Sequence, residues 1–178
     1  IERRTFFLLL PKPIPRTEVV VGKCLGLTAT TSIVTLFSTL ALCVVLFLNN
    51  GTEYITPILI SVFLSTFEAI LLILISLFFS GIMSPLMASV TTIAFFFLGH
   101  AGALFKTVFM TTSSTFIELV TRGSYYLLPN LEKFNIRNDI VYGTLPSPSL
   151  FLIAILYAIS YATLLLIVTH IVFKKKDF

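Results

Sequence analysis

The stretch PILISVFLSTFEAILLILISLFF, Pro57 to Phe79, carries one charged residue, Glu68, in a run long enough to cross a bilayer as a single helix. A hydrocarbon core about 30 Å thick needs about 20 residues at the helical rise of about 1.5 Å per residue. Three further stretches meet the same test, approximately Cys24 to Leu48, Pro85 to Phe105 and Pro148 to Phe173. Three of the four open on a hydroxyl residue followed by proline: Thr56-Pro57, Ser84-Pro85 and Ser147-Pro148. That order suits an N-cap side chain and a first helical residue that needs no N–H donor. The expected fold class is therefore all-α, a polytopic integral membrane protein with four transmembrane helices.

Composition agrees. With 57% hydrophobic residues, 11% charged and a mean hydropathy of +1.03, the chain lacks the polar surface that a soluble domain of its length requires. The formal net charge of +4 does not point to nucleic acid. Arg3, Arg4, Lys12, Arg16 and Lys23 precede the first span, and Lys174, Lys175 and Lys176 follow the last, so most of the basic charge sits at membrane flanks. Cys24 and Cys43 both fall in the first apolar stretch, where a helix would hold them about 28 Å apart, too far for a disulfide. Both read as small packing residues. The chain begins with Ile1, and no signal peptide precedes the first span, so a fragment of a longer protein is expected.

Four spans put both termini on one side, and the basic flanks place that side in the cytoplasm of a cell (inner) membrane. Asn49 to Glu53 then lies outside, the turn Ser80 to Met83 lies inside, and the connection 106–147 is extracytoplasmic. That connection is too long for a bare loop and is expected to hold short interfacial helices. Thr115-Phe116-Ile117-Glu118 fits a capping box, Glu118 and Arg122 are four apart, and Gly123 stands where such a helix would stop.

Inside the spans, Glu68 draws the first functional reading, because a charge there costs about 2.5–3.5 kcal/mol on insertion scales. Ser61, Ser65, Glu68, Leu72 and Ser76 share one helical stripe, so the carboxyl belongs to a polar face. Glu68, Ser65 and Ser61 are candidates for a translocation path; a carboxylic acid hydrogen-bonded between helices is the alternative. Thr28, Thr31, Thr35 and Ser38 form a second stripe in the first span. Thr31, Thr35 and Ser38 are path candidates, and close helix packing is the alternative. His100 and His170 lack a His, Cys or carboxylate at ligand spacing, so no metal site is expected and both read as interfacial histidines. No catalytic constellation is present, and Gly22-Lys23 lacks the rest of a phosphate-binding loop. The chain is expected to be no enzyme and to hold no cofactor.

The opening of the chain carries a resemblance. Glu2, Arg4 and Thr5, then Leu9 and Leu10, then Lys12, Pro13 and Arg16, then Gly22, Lys23 and Gly26 together resemble the cytoplasmic coupling segment of type-2 permeases of ATP-binding-cassette (ABC) transporters. Phe78-Phe79-Ser80, Leu98-Gly99-His100, and Leu128-Pro129-Asn130-Leu131 with Phe134-Asn135 are similar to the same group. The family has six spans with the coupling segment between the second and third, so the resemblance implies that the first two are missing here. It further implies an exporter permease, working with a second permease subunit, identical or not. Separate cytoplasmic ATPase subunits would bind ATP and Mg and push on residues 1–23, and residues 24–178 would form the transmembrane domain. Arg3, Arg4, Lys12 and Arg16 would meet acidic ATPase surface or anionic lipid, Leu8, Leu9 and Leu10 would seat in a groove or the bilayer interface, and Gly22 and Gly26 would permit close packing. Pro11 and Pro15 depart from the pattern, so a short helix to about Leu9 and then an extended turn are expected. A gradient-driven transporter using Glu68 and a non-transporting membrane scaffold are the competing classes.

Overall fold

The computed structural model describes residues 16–111, 115–136, 139 and 147–175. Among them the fold is all-helical. Helix α1 runs Arg16–Leu48, a 3-10 turn follows at Thr52–Tyr54, and α2 runs Ile55–Ser80. Then come α3, Pro85–His100; α4, Gly102–Thr111; α5, Thr115–Leu127; a 3-10 turn at Leu131–Phe134; and α6, Pro148–Lys175. The coupling candidates Glu2, Arg3, Arg4, Thr5, Leu8, Leu9, Leu10, Lys12 and Pro13, with the helix expected to Leu9, lie outside the described residues.

Three helical stretches are long and apolar enough to cross a membrane, Glu18–Leu48, Thr52–Ser80 and Pro148–Phe173, which is compatible with a multi-pass membrane protein. The central one is α2, which packs against α1, α3 and α6. Among its buried residues, Ser61, Leu64, Glu68, Leu71 and Ile75 recur every three or four positions and so share one face. Ala154, Ala158 and Leu165 of α6 meet that face, and the two alanines let the backbones come close. Helix α1 keeps Leu25, Val34, Phe37 and Phe47 exposed, as a helix facing acyl chains requires.

Several expected boundaries move. Helix α1 begins at Arg16, ahead of the expected span start at Cys24, so Arg16 to Lys23 lies on the same helix as the span. Its far end closes with Asn50 at φ 57°, the left-handed position that asparagine tolerates. Gly51 N–H donates to Leu46 O at 2.9 Å and Asn50 N–H to Phe47 O at 3.3 Å, which satisfies the last carbonyls. Helix α2 starts one residue before Thr56, so Pro57 occupies the first turn without Thr56 being its cap. Ser84 and Ser147 stand just before Pro85 and Pro148, but the Ser84 hydroxyl makes no capping hydrogen bond.

The expected third span, Pro85 to Phe105, is divided at Ala101. Helix α3 has 16 residues, about 24 Å of rise, which falls short of a 30 Å core. Ala101 N–H is shared between Phe97 O and Leu98 O, both at 3.1 Å, so the helix tightens as it ends. Gly99 and Gly102 flank the break, and each glycine weakens a helix by roughly 0.5–1 kcal/mol relative to alanine. Gly123 does not stop α5, which continues to Leu127. Glu118 and Arg122 lie 3.8 Å apart on it, as their spacing predicts.

Candidate functional site

Helices α2 and α3 are antiparallel neighbours joined by a short turn. Glu68 stands twelve residues before Ser80, the last of α2, and His100 fifteen residues after Pro85, the first of α3. At helical rise these are roughly 18 Å and 23 Å from the shared turn, close to the same level. The side chains meet there: His100 Nε2 lies 3.5 Å from Glu68 Oε1. The Glu68 side chain is 9% exposed and that of His100 23%.

The imidazole is oriented from its other side. His100 Nδ1 lies 3.1 Å from Phe96 O, one turn back on α3. A carbonyl only accepts, so this bond puts the proton on Nδ1 and leaves Nε2 to face Glu68. The Phe96 ring packs against the imidazole with centroids 4.6 Å apart. Two protonation patterns satisfy the pair: a neutral carboxyl donating to bare Nε2, or a protonated Nε2 donating to a carboxylate. Both leave the pair with zero net charge, which avoids burying a lone ion.

A non-helical segment closes the space beside this pair. Leu131 and Phe134 are fully buried and Ile136 nearly so, packed with Leu64 of α2 and Ala154 of α6. A Cβ built on Gly99 would stand 2.7 Å from Leu131 Cγ and 2.8 Å from Pro129 O. One built on Gly102 would stand 3.3 Å from Asn130 Cγ. The two glycines that flank His100 are thus the seats of Pro129, Asn130 and Leu131. Irregular backbone packed against helices needs partners for its polar groups. Pro129 has no N–H, and Asn130 N–H donates to Tyr157 Oη of α6 at 2.8 Å. Lys133 Nζ lies 4.1 Å above the Tyr157 ring, a cation–π contact that fixes the other end of the turn. Beside it a cavity of about 230 Å³ is bordered by Glu132, Lys133, Asn135 and Asp139 against Phe151 and Ala154.

The other candidate residues divide. Ser61 is buried and Ser65 half-buried on the face that carries Glu68, so the polar stripe turns inward as expected. Thr31 and Thr35 are half-buried and Ser38 is exposed. Their hydroxyls donate within α1, Thr31 to Leu27 O at 2.9 Å, Thr35 to Thr31 O at 2.8 Å and Ser38 to Val34 O at 2.9 Å. This stripe therefore spends its donors on its own helix. Gly22 and Gly26 have nothing within 4 Å of an added Cβ, so no close packing inside this chain requires them. Lys23 is exposed on the first turns of α1, and Arg16 is its first residue.

Sequence reasoning treated His100 as a solitary histidine because it looked for partners at ligand spacing. The partner sits on the neighbouring helix, 32 positions away in the chain (100 − 68). Similar distance from the turn 81–84 is the signal that pairs them. Among the described residues no group of three or more His, Cys, Asp or Glu side chains is placed to hold a metal ion. No family model, no curated protein and no solved structure matches this chain.

Proposed function

We propose that the chain is a permease subunit of an ATP-driven ABC exporter of the type-2 family, itself without enzymatic activity. ATP and Mg are held by separate ATPase subunits in the cytoplasm, and the chain pairs with a second permease subunit, identical or not. Both termini of the chain are cytoplasmic, and the membrane is the cell (inner) membrane. The observation that carries this reading is mechanical. Of the basic pattern, Arg16, Gly22, Lys23 and Gly26 all lie on α1, one 33-residue helix ending at Leu48. A force applied at Arg16 is transmitted along a rod of about 50 Å at helical rise, which packs on α2, the helix that holds Glu68.

The test is purification of the full-length protein from its native membrane in mild detergent, beside an Arg16→Glu variant. An ATPase subunit that accompanies the parent and falls at least about tenfold in the variant, about 1.4 kcal/mol of lost affinity, is the expected result. No ATPase with either protein refutes the reading.

The buried Glu68–His100 pair favours a second reading, a gradient-driven transporter in which Glu68 takes up and releases the coupling proton. Transport that continues without any ATPase and stops when the proton gradient is collapsed belongs to that class.

A further inference from the structure

We propose that Glu68, half-way along α2, and His100, at the end of α3, form a one-proton site in which a single proton passes between Oε1 of Glu68 and Nε2 of His100. The exchange is balanced without a co-reactant: the Oε1–H bond breaks as the Nε2–H bond forms, and the return step reverses both. The geometry supplies each requirement. Nδ1 is committed to the Phe96 carbonyl, so the imidazole presents Nε2 and no other atom to the carboxyl. The 3.5 Å separation is longer than a settled hydrogen bond of about 2.7–3.2 Å, so the exchange requires the two side chains to close by a few tenths of an ångström. The Glu68 side chain, 9% exposed, is the deeper of the two, and that of His100 is 23% exposed.

The place of the proton decides how firmly α3 is held to α2. On Nε2 it leaves a carboxylate facing an imidazolium, and separating them would strand two charges in an apolar core. On Oε1 it leaves two neutral groups, and separation costs one hydrogen bond. Since Pro129, Asn130 and Leu131 rest on Gly99 and Gly102, either side of His100, the proton also governs the seating of that segment. The ionisable groups with described side chains on the elements packed around α2 and α3 are Glu18, Lys23, Cys24 and Cys43 of α1, Glu53 and Tyr54 of the first 3-10 turn, Lys106 of α4, Glu132 and Lys133 of the second 3-10 turn, and Tyr157, Tyr161 and His170 of α6. Between Cys24 and Cys43, α1 has no ionisable residue at all, so the pair meets no third charge from that helix. This site does not depend on the ABC reading, because it would hold its proton in either class of transporter.

The test uses full-length protein in liposomes and dicyclohexylcarbodiimide, an apolar reagent that modifies protonated carboxyl groups, with the adduct on Glu68 located by mass spectrometry. Wild-type protein is expected to react at Glu68, and His100→Gln, which removes the competing base, to react several-fold faster. Equal rates in the two overturn the proposal, and so does reaction of His100→Gln alone, which would mean a fixed ion pair. A second measurement covers a reagent that fails to reach the site. The infrared difference between wild type and Glu68→Gln must contain the carbonyl stretch of a protonated carboxyl group, weaker than in His100→Gln. Its absence from the wild type overturns the proposal.

Discussion

Gly99 is the residue with the least room for change. A Cβ there would approach a backbone oxygen, Pro129 O, at 2.8 Å, and backbone does not move aside as a flexible side chain does. Gly99→Ala is expected to cost about 1–3 kcal/mol, the usual range for overpacking, seen as a lower unfolding temperature of the purified protein. Gly22→Ala is the control, since open space surrounds it and alanine favours a helix by up to about 1 kcal/mol. It should leave stability unchanged or raise it. Tyr157→Phe removes the one acceptor shown for Asn130 N–H. A typical intramolecular hydrogen bond contributes about 0.5–1.5 kcal/mol net and this one is part-buried, so this variant should also melt earlier while keeping its helix content. Glu68 was legible from the sequence as a carboxyl on a polar, inward stripe, because period and polarity are local properties. His100 was not legible as its partner, because the contact depends on how two helices register across a turn.

At the scale of elements, length and apolarity were enough to read α1, α2 and α6. They were not enough for the segment from Pro85, because hydropathy measures affinity for lipid and is silent on whether a helix stays straight. Gly99 and Gly102 looked like ordinary small residues, and only the loop that settles on them shows why the helix ends at His100. The same limit applies to Gly123, where an expected stop lies inside a continuous helix. Between α2 and α6 the fit rests on small side chains, Ala154 at 3% exposure and Ala158 at 2%. Without a hydrophobic driving force between helices in lipid, that close fit is the main attraction. Ala158→Leu should therefore push α6 from α2 at a cost of about 1–3 kcal/mol. Two cysteines engineered across the α2–α6 contact would report it, cross-linking efficiently in the parent and poorly in the variant.

At the scale of the whole molecule, the proposed function makes the chain a permease whose coupling segment drives a rod, α1, against the central helix α2. It predicts an orientation. With both termini cytoplasmic, Asn50→Cys should react with a membrane-impermeant maleimide added outside intact cells, and Met83→Cys should react only after the membrane is opened. The reverse pattern would invert the molecule and put the basic segment on the wrong side for a cytoplasmic ATPase. The most direct measurement is ATP hydrolysis by the full-length assembly, purified from its native membrane and placed in liposomes. The account predicts ATPase activity that co-purifies with this chain and is lost with Arg16→Glu while the variant chain remains folded in the membrane. A folded, membrane-embedded parent protein that never carries ATPase activity would contradict it.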